Sequence, residues 1–230
     1  GLMLYELTHP RAQRPFGGAS KPSCCYCADQ TGHTILQSLY EQCVRKGVNL
    51  LNEYFILSLE HDGTRASGIV ALNIQTGQVE AIPAKIVIFA TGGYAKMYWN
   101  RSSNAAGNNG DGQAAAFRAG IPLKDMEFVQ FHPTGLRKSG LLVTEGARGE
   151  GGYLINNLGE RFMNRYAPEK MELGPRDLVS RSIEMEIMEG RGFESAAGPF
   201  VKLDLTHLGA DLIKRRLPQI RELTMDFEGV

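Results

Sequence analysis

An uninterrupted β-branched run, Ile86-Val87-Ile88-Phe89, passes straight into Ala90-Thr91-Gly92-Gly93. A short continuous apolar run of this kind suits a strand buried on both faces of a parallel sheet. In open α/β sheets, ligands sit just beyond the carboxyl ends of strands. A Gly-Gly pair at that point lets backbone amides approach a ligand with no Cβ in the way. The alternative is an ordinary turn leaving a strand, and the run alone does not separate the two. The expected fold class is α/β.

The flanking sequence fills in this frame. Residues 1–30 are turn-rich, with Arg14-Pro15-Phe16-Gly17-Gly18 as the clearest loop. Thr31 opens a helical pattern carried by Ile35, Leu36, Leu39, Tyr40 and Cys43, with Gly47 placed to stop it. Tyr54 to Leu59 reads as a strand closed by Asp62-Gly63, and Gly68 to Ile74 as a second closed by Thr76-Gly77. Val79 to Phe89 is the third extended element, ending in the buried run.

Further on, Gly107-Asn108-Asn109-Gly110-Asp111-Gly112-Gln113 leads into an alanine-rich helix ending near Gly120, with Asp111 expected at the N-cap. Gly110-x-Gly112-x-x-Ala115 has the form of a dinucleotide fingerprint but follows a polar loop rather than a strand, so it is rejected as one. Its exposed amides and acidic cap still suit a polar ligand group.

A second region is expected from about Glu127. Gly174-Pro175-Arg176-Asp177 leads into an amphipathic helix through Val179, Ile183, Ile187 and Met188. One or two short helices follow around Pro218.

Composition removes several classes. Lys plus Arg and Asp plus Glu both total 25, so no strongly basic surface for nucleic acid is on offer. The 43% hydrophobic content is ample for a core and argues against disorder. No stretch approaches the roughly 18 apolar residues of a membrane span. Gly1 to Glu6 lacks the basic and apolar segments of a signal peptide. Cys24, Cys25 and Cys27 crowd together, with Cys43 beyond them. Cys24 and Cys27 form a C-x-x-C, but a metal site needs more ligands at the right spacing than His33 supplies. Reduced thiols are the plainer reading, with no metal expected.

Residue chemistry concentrates in the second region. His132, restrained by Pro133, sits in Gln130-Phe131-His132-Pro133-Thr134-Gly135. Thr144 and Glu145 end an apolar run, where a strand would deliver them to a site. Arg148 and Arg176 offer planar forks for carboxylates. Together they suit a small dianion. Taken singly, each has a commoner structural role, as a satisfied core histidine or a surface ion pair.

The motifs in order are far more specific than any one of them. Ala90-Thr91-Gly92-Gly93, Gly110-Asp111-Gly112, the Gln130 to Gly135 motif, Thr144 to Gly152, Gly159-Glu160-Arg161-Phe162-Met163 and Pro175-Arg176-Asp177 all stand at family-like spacings. Gln13 to Gly18 and Asp29 to His33 extend the match. The chain resembles the flavoprotein subunit of succinate dehydrogenase and fumarate reductase, over a middle portion of that longer subunit.

The resemblance implies a partial Rossmann-like FAD-binding domain over residues 1–126, followed by most of an α+β capping domain over 127–230. It implies FAD as cofactor, with Thr91, Gly92 and Gly93 lining the flavin region and Asp111 contacting FAD. His132 and Thr144 match positions that bind the dicarboxylate, with Glu145 beside them. Arg176 matches the proton-transferring residue, and Glu145 with Arg148 the relay that resupplies it. The family's N-terminal glycine fingerprint, its flavin-linking histidine and a downstream histidine and arginine are expected to lie outside this chain. The fragment alone is therefore expected to be inactive.

The resemblance further implies succinate and fumarate as substrates, an iron–sulfur subunit and membrane anchor subunits as partners, and a peripheral place on the cytoplasmic or matrix side of an energy-transducing membrane. Some relatives work in the periplasm. L-aspartate oxidase shares the His-Pro-Thr, Thr-Glu and Pro-Arg-Asp patterns and is the nearest rival. A non-catalytic fragment that meets a flavinylation factor or an iron–sulfur partner is the rival of a different class.

Overall fold

The computed structural model describes residues 13–14, 24–27 and 29–229. The opening residues 1–6 and Pro15 to Gly18 of the expected loop lie outside them. By contacts the chain forms two compact units, one of Gly1–Gly47 with Gln130–Val230 and one of Val48–Val129.

The first unit opens with a short antiparallel pair, β1 (Gln13–Arg14) and β2 (Cys24–Cys25). Helix α1 (Thr31–Arg45) follows where the apolar spacing places it, and its start is held by a Cys27 amide donating to the Thr31 hydroxyl at 3.0 Å. Leu36, Leu39, Tyr40 and Val44 are exposed along it. Cys25, Cys27 and Cys43 are free thiols. Among the described residues, no group of three or more His, Cys, Asp or Glu is placed to hold a metal.

The second unit is a meander of β3 (Tyr54–His61), β4 (Ala66–Asn73) and β5 (Val79–Pro83), antiparallel throughout, with Ala71 fully buried at its centre. Asp62 closes the first turn by accepting from the Thr64 and Arg65 amides, both at 2.8 Å. The third element stops at Pro83. Ile86 to Phe89, expected as a doubly buried parallel strand, is not a strand: Ile86 is 79% and Ile88 84% exposed. A strand of that kind needs a hydrogen-bonded neighbour and layers over both faces, and the pairings among the described strands are all antiparallel and lie elsewhere.

Helix α2 (Asp111–Arg118) follows, with its cap one residue earlier than expected. Gly110 takes that position in a left-handed conformation (φ 91°), and Asp111 is the first helical residue. Glycine tolerates this geometry and aspartate does so less readily, which is why the cap falls there.

The first unit resumes after Val129. A narrow antiparallel turn pairs Gly135 with Leu142. It leads to α3 (Glu145–Gly149), β6 (Tyr153–Ile155), α4 (Met163–Tyr166) and α5 (Arg176–Met188). Strand β7 (Lys202–Asp204) pairs with β6, and α6 (Ala210–Arg216) and α7 (Pro218–Phe227) close the unit. Pro218 opens α7, where its missing amide costs nothing. Leu136, Val143, Ala147, Leu217 and Ile220 form one core cluster, and Leu154, Phe162, Met163 and Val179 another. The early segment is tied to this unit by Arg216 donating to the Tyr26 hydroxyl and by the Ile220 amide donating to Asp29, both at 2.9 Å. Among the described residues no helix is long and apolar enough to cross a membrane.

Helix α5 is seated by a buried carboxylate. Glu186 is fully buried and accepts from Arg191 (2.7 and 2.8 Å), Arg165 (2.9 Å), Tyr166 (2.8 Å) and Asn156 (2.9 Å). The Arg191 hydrogen bonds, more than any other contact, bring its pKa down from 4.5 to about 2. Its contribution to stability is complete above pH 4.5 and is lost as the pH falls through about 2. Replacing Glu186 by glutamine strands two guanidinium groups. Each keeps a second acidic partner at the surface, so the cost falls at the low end for a broken buried pair, about 3 kcal/mol, read as a lowered urea midpoint. An unchanged midpoint would mean the network is neutral to stability.

Candidate active site

The second unit carries a glycine-lined loop packed on a helix N-terminus. Thr91 to Gly93 run against α2 so closely that a Cβ on Gly112 would lie 1.8 Å from the Thr91 hydroxyl oxygen and 2.7 Å from its Cβ. Gln113 reaches back to donate to the Gly92 carbonyl at 2.8 Å, and Tyr94 donates to the Met126 carbonyl at 2.5 Å. Two buried acceptors here, Asn108 Oδ1 and Gln113 Oε1, lack a hydrogen-bond partner among the described residues. The Asn108 oxygen would stand 3.5 Å from a Cβ on Gly93. Buried acceptors left unpaired cost free energy unless a donor arrives. A loop without side chains beside two waiting acceptors fits a ligand rich in hydroxyl and N–H donors. Of the expected cofactor residues, Thr91, Gly92, Gly93 and Asp111 all belong to this unit.

The first unit carries the charged group. Thr134 and Val143 are joined twice: the Val143 amide donates to the Thr134 carbonyl (3.2 Å), and the Thr134 hydroxyl donates to the Val143 carbonyl (2.9 Å). This short ladder sets the loop holding His132 beside the segment that begins at Thr144. Thr144 is not the end of a strand. Its hydroxyl accepts from the Gly146 amide at 3.2 Å and caps α3, because a threonine before two glycines and an alanine starts a helical turn more readily than it prolongs a single bridge. One turn of α3 places Glu145 and Arg148 on one face.

Glu145 is 3% and Arg148 2% exposed. Glu145 Oε2 accepts from Arg176 Nε at 2.8 Å and lies 3.6 Å from Arg148 Nη2. Arg176, the first residue of α5, has a side chain 36% exposed, and its Nη1 donates to Gln130 Oε1 at 3.1 Å. Ser180, one turn along the same helix, donates to the Phe131 carbonyl at 3.2 Å and pins the His132 loop to α5. The arrangement is a buried cation, a buried carboxylate and a partly exposed cation in series.

Arg148 is the least comfortable member. Its Nη1 donates to the backbone carbonyl of Glu172 at 2.5 Å, while Nε and Nη2 are buried without a hydrogen-bond partner among the described residues. Burial pushes this guanidinium below its usual range. Glu145 opposes that shift, Arg176 adds to it, and Glu172 opposes it. His132 Nδ1 lies 2.9 Å from the Thr134 carbonyl oxygen, which can only accept, and 3.4 Å from the Thr134 amide, so the closer contact favours the hydrogen on Nδ1. Burial lowers the His132 pKa most, the Thr134 contact raises it, Arg148 and Arg176 lower it, and Glu145 raises it. The ring is therefore neutral near pH 7, with a lone pair on Nε2.

The structure thus joins Glu145, Arg148 and Arg176 directly and sets His132 within their field. Thr144 is bound to its own helix start. Gln130, which its motif alone does not mark as a site residue, is a direct partner of Arg176. Glu172 was not anticipated at all. Its one sequence signal is an acidic residue four positions before Arg176, in Glu172-Leu173-Gly174-Pro175-Arg176.

Comparison with known proteins bears on these groups. Residues 3–230 match the family described as FAD binding domain. The chain is 49% identical over 218 residues to the 8-methylmenaquinol:fumarate reductase flavoprotein subunit of Wolinella succinogenes, covering 95% of this chain and 35% of that protein. It is 46% identical over 226 residues to the succinate dehydrogenase flavoprotein subunit of Rickettsia bellii, covering 95% and 38%. Among solved structures, FrdA of E. coli quinol fumarate reductase superposes with a TM-score of 0.91 at 38% identity, over 98% of this chain and 40% of that one. The chain spans between a third and two-fifths of the length of these relatives.

Proposed function

We propose that the intact protein interconverts succinate and fumarate; the chain belongs to the FAD binding domain family and is similar to flavoprotein subunits named for fumarate reductase and succinate dehydrogenase. FAD is its cofactor. The observation that carries the reading is Glu145 Oε2, buried between Arg176 at 2.8 Å and Arg148 at 3.6 Å, with only Arg176 reaching toward solvent.

In this proposal, residues 1–126 contribute part of an FAD-binding domain, in which Thr91, Gly92, Gly93 and Asp111 face the cofactor. Residues 127–230 contribute most of a capping domain. Bound FAD supplies hydride exchange with one carbon of the four-carbon diacid. The chain's own residues handle the charge and the proton. His132 and Thr144 hold a carboxylate and, by drawing electron density toward it, make the alkene a better hydride acceptor. Arg176 gives a proton to the neighbouring carbon. An arginine is a poor acid at neutral pH, so the loan must be short. Glu145 returns a proton to Arg176, and Arg148 stands behind it. An iron–sulfur subunit and membrane anchor subunits would carry the electrons onward to quinone, with this chain peripheral on the cytoplasmic or matrix face.

The full-length flavoprotein should oxidise succinate with a dye as acceptor and reduce fumarate with a reduced dye as donor. Oxidation of L-aspartate with none of succinate would replace this reading with an aspartate oxidase. Loss of both activities would favour a non-catalytic role.

His132 makes a second outcome specific. Its Nδ1 hydrogen is committed to Thr134, so Nε2 can hold a carboxylate only after gaining a proton. Fumarate binding to the oxidised flavoprotein should take up a proton near pH 7. Affinity should fall by up to about tenfold per pH unit as the pH rises from the His132 pKa of the free protein toward that of the complex. Calorimetry in buffers of different ionisation enthalpy measures the uptake, and His132→Gln should flatten the slope. Binding that is independent of pH would remove His132 from the carboxylate.

A further inference from the structure

We propose that Glu172 is a positioning residue for the proton relay, holding Arg148 in place through its backbone carbonyl and keeping it charged through its carboxylate. This rests on the function proposed above and adds a residue that touches neither substrate nor cofactor.

The geometry is specific. The Glu172 carbonyl takes the Nη1 hydrogen of Arg148 at 2.5 Å, the only direct hydrogen bond that the Arg148 guanidinium makes among the described residues. The same residue is 2% exposed, and its carboxylate is fully engaged. Oε1 accepts from the Leu154 amide at 3.1 Å and from Arg161 Nε at 2.9 Å, and Oε2 accepts from Arg161 Nη2 at 2.6 Å. Arg161 in turn lies over the Tyr153 ring, 3.8 Å from its centroid. The Glu172 turn is thus fastened to β6 and to the segment before α4 whether or not Arg148 is present. It offers Arg148 a fixed acceptor and a fixed negative charge.

Arg148 needs both. It is buried on α3 with two nitrogens lacking a hydrogen-bond partner among the described residues. Arg176 on α5 repels it, and His132 in the preceding loop adds no negative charge. Glu145 on its own helix attracts it but is shared with Arg176. Glu172 is the second carboxylate that counters the penalty of burying this cation. Without it Arg148 would surrender its proton at a lower pH and could no longer restock Glu145.

The test uses the full-length flavoprotein, first shown to turn over succinate and fumarate. Failure there would strike the functional reading and leave Glu172 out of account. In an active protein, Glu172→Gln keeps the backbone carbonyl and the shape but removes the charge. At pH 7 kcat should fall roughly tenfold while KM changes less than twofold. The basic limb of the pH profile of kcat should move to lower pH, so that the deficit widens as the pH rises. The solvent isotope effect on kcat should also grow. A loss of equal size at every pH, or no loss, would overturn the proposal. If Glu172→Gln does not retain flavin, Arg161→Gln serves instead. It leaves the Glu172 charge facing Arg148 with less competition, so the basic limb should stay or move to higher pH. A move to lower pH would overturn the assignment.

Discussion

Replacing Arg176 by lysine in the full-length flavoprotein should cut turnover by about three orders of magnitude while the flavin stays bound. A positioned general acid typically contributes 10²–10⁴-fold, and of Glu145, Arg148 and Arg176, the proposed relay, Arg176 alone has a side chain that reaches out of the buried cluster. Its two hydrogen bonds leave from different nitrogens, Nε to Glu145 and Nη1 to Gln130. Lysine offers a single nitrogen on a flexible stem and cannot span both acceptors while pointing a proton at substrate. Steady-state kcat with fumarate and succinate measures the loss, and the flavin absorbance band reports the cofactor. Near-normal activity would refute the assignment of Arg176, and so would loss of flavin in step with activity.

Gly112→Ala should abolish flavin retention, although it adds a single methyl group. The new Cβ would lie within 3 Å of the Thr91 hydroxyl oxygen, Cβ and Cγ2 alike. No rotation of Thr91 moves its own Cβ away, so the Thr91 to Gly93 loop must lift off the helix. A second change, Thr91→Gly, removes the obstructing atoms and should restore part of the flavin content. Absorbance per mole of purified full-length protein reads both variants. A Gly112→Ala protein with full flavin would show that the close approach of loop and helix is dispensable.

Local signals were legible where chain geometry alone decides. The 31–45 helix with its stop at Gly47 and the turn at Asp62 follow from spacing and from the backbone limits of glycine, whereas around Pro218 spacing leaves one helix or two open and the structure has two. Ile86 to Phe89 was misread because a buried strand is a property of its neighbours. Its composition says only that it could tolerate burial. The cap is expected one residue too late, at Asp111, because aspartate is the better capping side chain, whereas the backbone requires the positive φ that Gly110 supplies. Thr144 illustrates the same limit: an apolar run before it suggested a strand, and a single hydroxyl-to-amide contact made it a helix start. The charged cluster was readable as residue types, through family resemblance more than through spacing. Glu172 was not readable, since half of its role lies in a backbone carbonyl that carries no side-chain signal.

One oxygen of Glu145 faces two cations at unequal distances, 2.8 Å on one side and 3.6 Å on the other. The Arg176 guanidinium is hydrogen-bonded to it, whereas the Arg148 guanidinium stands just beyond hydrogen-bond reach as an ion pair. A swing of about 1 Å by this carboxylate would exchange which partner is hydrogen-bonded and which is merely near. If the relay operates as proposed, the timing of proton delivery would then depend on the tilt of a single side chain as well as on the acidity of the groups it joins.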